Sequence, residues 1–416
     1  MTKISILTLG CKVNKYESDC LLRMLEDIGF SVSEELIFAD NYIINSCAVT
    51  NEAEKKSRQY ISKINKINPN AKILFCGCAS EKNNESLLQK KNVIKVFVNQ
   101  RKDEIVKFLQ DLEYKDELLS TYNENISNPK ISNTRAYLKI QDGCNRFCSY
   151  CIIPYVRGRS VSRDLSKVIT EAEVLDKFYK EIVIVGIDMS DYKIDGKLAL
   201  DVLINNLSHI NARIRLGSLE VSVINEEFLK SLLKLKNFCP QFHLSLQSGD
   251  DFVLKKMNRK YTSKEYLEAC NLIYKFFPDA NITTDIIVGF PYEDEENFKN
   301  TLNLVREVKF GKIHCFPFSA KKGTLAYTYK DIDKNIKKER LKILSNLGEK
   351  LATEYHSKFI NRNLIVLVEE IEDNYIVGYS ENYIKCYMEN DTKKYKLGEI
   401  ITVKGIKIYK EGLKVK

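Results

Sequence analysis

The chain has 416 residues, 44% hydrophobic and 29% charged, which excludes a mainly disordered polypeptide and predicts two or three domains rather than one small module or a repeat array. Lys plus Arg (65) exceed Asp plus Glu (56) for a net charge of +9, a balance that permits a polyanionic partner without requiring one. No run of about 18 uncharged apolar residues occurs and MTKISILTLG reads as a strand rather than a signal peptide, so the expected compartment is the cytoplasm with no membrane partner; twelve cysteines are too few for a disulfide scaffold there, and metal or redox chemistry becomes the leading expectation.

Strand and helix patterns alternate from the start. ISILTLG (4–10) precedes a helical pattern over 17–28, NYIINSC (41–47) one over 51–67, KILFCGC (72–78) one over 82–90, and VIKVFVN (93–99) one over 102–112. This spacing predicts an open, mostly parallel α/β sheet for residues 1–115. Residues 116–133, rich in Tyr, Asn, Ser, Glu and Lys, read as a linker.

A second series of strands follows at AYLKI (136–140), EIVIVGI (181–187), RIRLGSLE (213–220), FHLSLQ (242–247), ITTDIIVGF (282–290) and IHCFPFS (313–319), with helical patterns between them. Six strand signals with intervening helices predict a partial (β/α)6 barrel over 134–356, its working edge at the C-terminal ends of the strands. The acidic EDEE (293–296) is the first turn of a helix, where the dipole favours carboxylates. Residues 357–416 change texture to short alternating runs separated by Asn, Gly and Asp, which predict a small all-β barrel. From Asp391 to Lys416 eight Lys stand against three acids, with Tyr395 and Tyr409 among them; such a face suits nucleic acid, or it is a solvated lysine surface.

Chemistry concentrates in DGCNRFCSYCIIP (142–154), where Cys144, Cys148 and Cys151 fall within eight residues after a predicted strand. Thiols so close in a reducing compartment are metal ligands. A closed zinc site needs a fourth ligand, and no further Cys or His lies within fifty residues of the three. An iron–sulfur cube held by three thiolates leaves one iron open to another molecule, which fits the arithmetic better. A second group is inferred from topology: Cys11 follows the first strand, Cys47 ends the second and Cys78 the third, so parallel strands would bring all three to one sheet edge, where open α/β folds bind ligands. Cys76 competes with Cys78, since strand alternation puts both on one face; Cys78 is preferred for its place beside the turn. The remaining cysteines, 20, 239, 270, 315 and 386, read as core, and the four histidines are scattered with no pair at metal-ligand spacing.

The CxxxCxxC motif, with Tyr150 before its last Cys, resembles the signature of radical S-adenosylmethionine enzymes. GCKVNKYES (10–18), NSCAVTNEAEKKSRQ (45–59) and CGCASE (76–81) resemble the three cysteine motifs of the methylthiotransferases within that group, and YCIIPYVRGRSVSR (150–163), HLSLQSGDDFVLKKMNRKYT (243–262), TTDIIVGFP (283–291) and FPFSAKKGT (316–324) match further along. GYSENYIKCYM (378–388) is similar to TRAM, the RNA-binding barrel that ends these enzymes. The resemblance implies two [4Fe-4S] clusters, one on Cys144, Cys148 and Cys151 and one on Cys11, Cys47 and Cys78. It also implies S-adenosylmethionine as cofactor, with Tyr150, Gly186, Ser218, Glu220 and Gln247 as cofactor contacts; ordinary turn or capping duty is the alternative for the last four. The partner it implies is tRNA rather than DNA, together with an electron donor protein and a sulfur source. GCKVN with YES is similar to the subgroup acting on threonylcarbamoyladenosine next to the anticodon; other branches act on isopentenyladenosine or a ribosomal protein. The reading from a different class is a non-catalytic, zinc-containing RNA-binding protein.

Overall fold

The computed structural model describes residues 2–49, 51–102, 104–110, 134–372, 374–390 and 395–416; the expected linker at 116–133 lies outside them. The chain divides into two compact units. One comprises Met1–Lys130, Asp142–Arg163 and Lys321–Thr324, and the other Ile131–Gln141, Asp164–Ala320 and Leu325–Lys416. Among the described residues no helix is long and apolar enough to cross a membrane.

In the first unit β1 (Lys3–Thr8), β2 (Ser31–Ser33), β3 (Asn41–Ser46), β4 (Lys72–Gly77) and β5 (Val93–Val96) form one parallel sheet in the order β2-β1-β3-β4-β5. The helices are α1 (Lys12–Asp27), α2 (Asn51–Ile67), α3 (Ser80–Leu88) and α4 (Glu104–Leu109). Both faces of the sheet are buried, as a parallel sheet requires. Tyr42, Ile44, Ile73 and Phe75 pack to one side with Ile61 and Ile64 of α2; Ile43, Leu74 and Cys76 pack to the other with Leu21 and Leu25 of α1 and Ile105 of α4. The helix expected from residue 17 begins at Lys12, immediately after Cys11, because Val13 and Tyr16 are buried and extend the apolar face backwards. The three-residue β2 is too short to produce a periodicity signal.

The second unit carries the βα series. After β6 (Ala136–Asp142) come α5 (Ile153–Val156) and β7 (Val161–Ser162), which belong with the first unit. The series resumes with α6 (Leu165–Asp176), β8 (Glu181–Gly186), the short β9 (Lys193–Ile194) and β10 (Lys197–Leu198), α7 (Leu200–Asn206), β11 (Arg213–Leu216) and β12 (Ser218–Leu219). It continues through α8 (Glu226–Leu233), β13 (Gln241–Leu244), α9 (Asp251–Lys256), α10 (Ser263–Phe276), β14 (Asn281–Val288), α11 (Glu295–Val308) and β15 (Lys312–Pro317). β11-β8-β6 and β12-β13-β14-β15 are parallel runs. The predicted strand over 213–220 is therefore split, one part in each run. The break is at Gly217, whose N–H donates to the Ile184 carbonyl at 2.8 Å, leaving β12 to pair with β13 instead. Of the acidic run 293–296, Asp294 caps α11, its side chain accepting from the Asn297 N–H, and Glu295 and Glu296 form the first turn; Glu293 precedes the helix, buried and paired with Arg340 at 2.7 Å.

After α12 (Lys334–Ser357), the strands β16 (Asn363–Ile371), β17 (Tyr375–Ser380), β18 (Lys385–Glu389), β19 (Ile400–Tyr409) and β20 (Gly412–Val415) close a barrel in the order β16-β17-β18-β20-β19. A buried knot anchors it to the strand starts of its unit. Glu181 receives Arg215 at 3.1 Å and Arg135 at 3.3 Å and pairs with Arg213. The same arginines donate to barrel carbonyls, Arg213 to Ile365 at 2.9 Å and Tyr379 at 3.0 Å, Arg215 to Ser380 at 3.1 Å and Glu381 at 3.0 Å. Burial pushes the Glu181 carboxyl up, yet the three guanidinium groups outweigh it and hold the group far below the ordinary carboxylate range.

Candidate functional site

Backbone hydrogen bonds close the 142–163 segment on itself. Cys144 donates its N–H to the Gly158 carbonyl at 3.1 Å, Cys151 its N–H to the Cys148 carbonyl at 2.9 Å, and the Arg146 N–H reaches the Cys144 sulfur at 3.4 Å. Phe147 adopts φ +47° between the first two cysteines, under the Arg159 guanidinium 4.4 Å away and edge-on to Tyr155. Such left-handed backbone in a bulky residue stores strain, held here by ring and cation contacts. Cys144, Cys148 and Cys151 are half-buried, as is Tyr150. The loop's foot is apolar: Ile152 and Val156 pack into the core with Leu7, Ile44, Phe75 and Cys78.

The other three cysteines stand at the C-terminal ends of three adjacent strands. β1, β3 and β4 are neighbours in register, Thr8 beside Asn45 and Ser46 beside Gly77; Cys11, Cys47 and Cys78 follow them. The strand order reverses between β1 and β3, the crevice position of open α/β folds. Gly10 lets the Cys47 side chain approach, since a Cβ there would stand 2.9 Å from the Cys47 sulfur. Gly77, at φ +90°, turns the chain before Cys78. That turn overrides strand alternation: Cys76 faces the α1 side while Cys78 packs on the α2 side among Ala48, Ile61 and Ile152, so the two do not share a face. Burial pushes the Cys47 thiol up to about 11 and the Cys76 thiol to about 12. For Cys78 burial also raises it, opposed first by Arg157.

Both trios suit an inorganic core larger than one ion. Among the described residues, His243, Asp285 and His314 form a group whose ligand atoms all lie within 4.8 Å of one another, whereas each cysteine trio offers three thiol donors. A closed tetrahedral zinc site takes four protein ligands. Three thiolates, with a fourth corner left to another molecule, match the donor set of an iron–sulfur cube.

Sequence reasoning missed the charged cage linking these elements. Arg157, fully buried, donates Nε–H to the Cys78 sulfur at 3.2 Å, Nη1 to Glu17 and Asp142 at 2.9 Å each, and Nη2 to Glu17 at 3.2 Å and to Asn14. Lys102 also pairs with Glu17. Arg157 lies inside the quoted run YCIIPYVRGRSVSR, but nothing local distinguishes it from Arg159 or Arg163; only the fold does.

In the second unit Gly186 ends β8, Ser218 lies in β12, Glu220 follows it, and Gln247 comes three residues after β13, all toward the C-terminal ends of parallel strands. Glu220 is ion-paired with Arg259 and its N–H donates to Ser190 Oγ at 2.8 Å. Gln247 adopts φ +66° and is bridged to β14, donating to the Asp285 carbonyl at 2.8 Å and accepting from Ile287 at 2.9 Å. Histidines scattered in sequence do meet: His243 contacts Thr283 Oγ1 at 2.9 Å and Asp285 at 3.1 Å, with the His314 ring 5.9 Å away. The register of β13, β14 and β15 brings them together. On the C-terminal barrel Lys410 lies over the rings of Tyr375, Tyr387 and Tyr409, and Tyr379 stacks on Tyr383 at 4.6 Å, so the basic and aromatic residues are interleaved in space.

Comparison with known proteins agrees with this geometry. Residues 138–305 match the radical SAM superfamily and residues 3–99 the uncharacterized protein family UPF0004. The chain is 36% identical, over 99% of its length and 96% of the relative's, to the threonylcarbamoyladenosine tRNA methylthiotransferase MtaB of Bacillus subtilis (strain 168). It is 34% identical, over 88% of each chain, to the tRNA-2-methylthio-N(6)-dimethylallyladenosine synthase of Petrotoga mobilis. Among solved structures, the radical S-adenosylmethionine methyltransferase TsrM of Kitasatospora setae shares the fold with a TM-score of 0.58 at 12% identity, covering 76% of this chain and 72% of that one. The radical SAM match brings with it a [4Fe-4S] cluster and S-adenosylmethionine as cofactors. With relatives above 30% identity along nearly its whole length, the chain belongs to the radical S-adenosylmethionine tRNA methylthiotransferases.

Proposed function

We propose that this protein adds a methylthio group to C2 of the N6-threonylcarbamoyladenosine beside the anticodon of tRNA. The observation that carries the reading is the pairing of two cysteine trios in one compact unit, Cys144, Cys148 and Cys151 on a loop and Cys11, Cys47 and Cys78 at three adjacent strand ends. Each trio would hold one [4Fe-4S] cluster, the first also binding S-adenosylmethionine. When bound, these groups supply the hydrogen-abstracting radical and the sulfur that side chains cannot provide, since C2–H of adenine is neither acidic nor electrophilic enough for acid–base attack.

The protein's share is placement. Segment 1–115 would carry the second cluster, 134–356 the radical core and 357–416 the RNA-binding barrel. Gly186, Ser218, Glu220 and Gln247, with Tyr150, would contact the cofactor. Two of them are pre-set for it: Glu220 is fixed by Arg259 and Ser190, and Gln247 by its bridge to β14, so neither needs reordering when the cofactor arrives. Lysines interleaved with tyrosines on the C-terminal barrel suit a phosphate backbone with stackable bases, and binding should weaken steeply with salt. The protein would work in the cytoplasm with an electron donor protein and a sulfur source. Relatives named for dimethylallyladenosine set the test. Mass analysis of tRNA from cells lacking the protein should show threonylcarbamoyladenosine without its methylthio group; loss of the methylthio group from isopentenyladenosine instead would overturn the substrate assignment.

A further inference from the structure

We propose that Arg157 is a positioning residue for the cluster on Cys11, Cys47 and Cys78, holding the Cys78 thiolate through an N–H···S hydrogen bond and raising the reduction potential of that cluster; this rests on the two-cluster reading above. Arg157 stands six residues after Cys151, on the loop that bears the other trio, yet its Nε–H reaches Cys78 at the sheet edge. All five of its N–H donors have partners: Nε with Cys78, Nη1 with Glu17 and Asp142, Nη2 with Glu17 and Asn14. Only a guanidinium offers five donors in one planar fork.

Charge arithmetic makes the sulfur contact more than incidental. Arg157 and Lys102 supply two positive charges, Glu17 and Asp142 two negative ones, so the cage is neutral before any thiolate is added. The acids fix the guanidinium at Nη1 and Nη2, and this fixes the direction of Nε–H toward Cys78. Asn14 serves the same geometry from the other side, donating Nδ2 to the Leu9 carbonyl at 2.8 Å and the Ser46 carbonyl at 2.9 Å, the chain just before Cys11 and Cys47. Hydrogen bonds to cluster sulfurs favour the more negative, reduced state and are one of the levers by which a protein sets cluster potential. With the Arg157 side chain wholly buried, solvent screens this interaction little. Asp142 also precedes the first trio by two residues, so one side chain ties the root of the radical loop to a ligand of the other cluster.

The test is an anaerobic redox titration of the full-length, reconstituted protein followed by EPR. Wild-type protein should show two four-iron clusters with separate midpoints; a single cluster would defeat the two-cluster reading itself, before Arg157 is in question. In Arg157→Lys, which keeps the charge but loses the Nε–H, the midpoint of the second cluster should fall while that of the Cys144, Cys148, Cys151 cluster stays put. Equal movement of both, or of neither, overturns the proposal. Should this variant fail to load both clusters, wild-type protein labelled with 15N at the arginine guanidinium decides: the reduced signal of the second cluster should carry a 15N hyperfine coupling, and its absence overturns the assignment.

Discussion

The two cysteine trios reach similar ends by opposite routes. Cys144, Cys148 and Cys151 fall within eight residues of one loop, 142–163, whose backbone closes on itself, Cys144 to Gly158 and Cys151 to Cys148, so local chain geometry sets their spacing. Cys11, Cys47 and Cys78 are contributed by three strands whose order in the sheet decides everything. A local site takes its internal spacing from its own backbone, though its floor under Ile152 and Val156 comes from elsewhere. An assembled one inherits every shift in register between β1, β3 and β4.

The largest effects should come from cutting each trio separately. Cys148→Ala is expected to abolish reductive cleavage of S-adenosylmethionine. Cys47→Ala should leave cleavage in place and eliminate methylthiolated product, measured by chromatography of both reactions. Methylthiolated product from the Cys47 variant would collapse the distinction between the two sites.

A change in the other compact unit gives the contrast its control. Glu181→Gln leaves Arg135, Arg213 and Arg215 without their carboxylate and should cost about 3–5 kcal/mol of stability, read as a lowered denaturation midpoint. The iron content of protein that does fold should remain about eight per chain, two four-iron cores. Loss of iron in step with stability would mean that the knot also supports the clusters.

The pH dependence of stability separates the units further. Burial, assisted by Lys312, lowers His356 from its ordinary value of 6.5 to about 4. Between those values the unfolded chain binds the proton and the native one does not, so stability is complete above about pH 6.5 and falls as pH drops toward 4, by up to about 3 kcal/mol. His356→Gln should flatten this slope in urea denaturation. A variant with the wild-type slope would assign the pH dependence to other groups.

Smallest of all should be Cys76→Ala. Cys76 is wholly buried on the α1 side, so the change should cost about 1 kcal/mol through lost packing and leave the iron content of the protein intact. A missing cluster would make Cys76, not Cys78, the ligand.

How far the sequence could be read follows the same division. The local trio is visible in eight letters, and the βα alternation was strong enough to predict three cysteines at one sheet edge. What escaped depended on three dimensions. Strand alternation wrongly grouped Cys76 with Cys78 because Gly77 turns the chain out of the strand first. Gly217 split the strand predicted over 213–220 between two sheets. The meeting of His243, Asp285 and His314 requires strand register, and Arg157 meets Glu17 across 140 positions of sequence, a pairing no window of residues contains.

That residues 142–163 take their footing from the first unit bears on any attempt to dissect the enzyme. A truncated chain starting at residue 134 would keep every cysteine of the radical motif, yet Ile152 and Val156 would lose the apolar floor of Leu7, Ile44 and Phe75, and Arg157 would lose Glu17. The obvious cut between modules therefore removes the scaffold of a site whose ligands all lie on the retained side. Reconstitution trials on such a fragment should fail for mechanical reasons, before any question of chemistry arises.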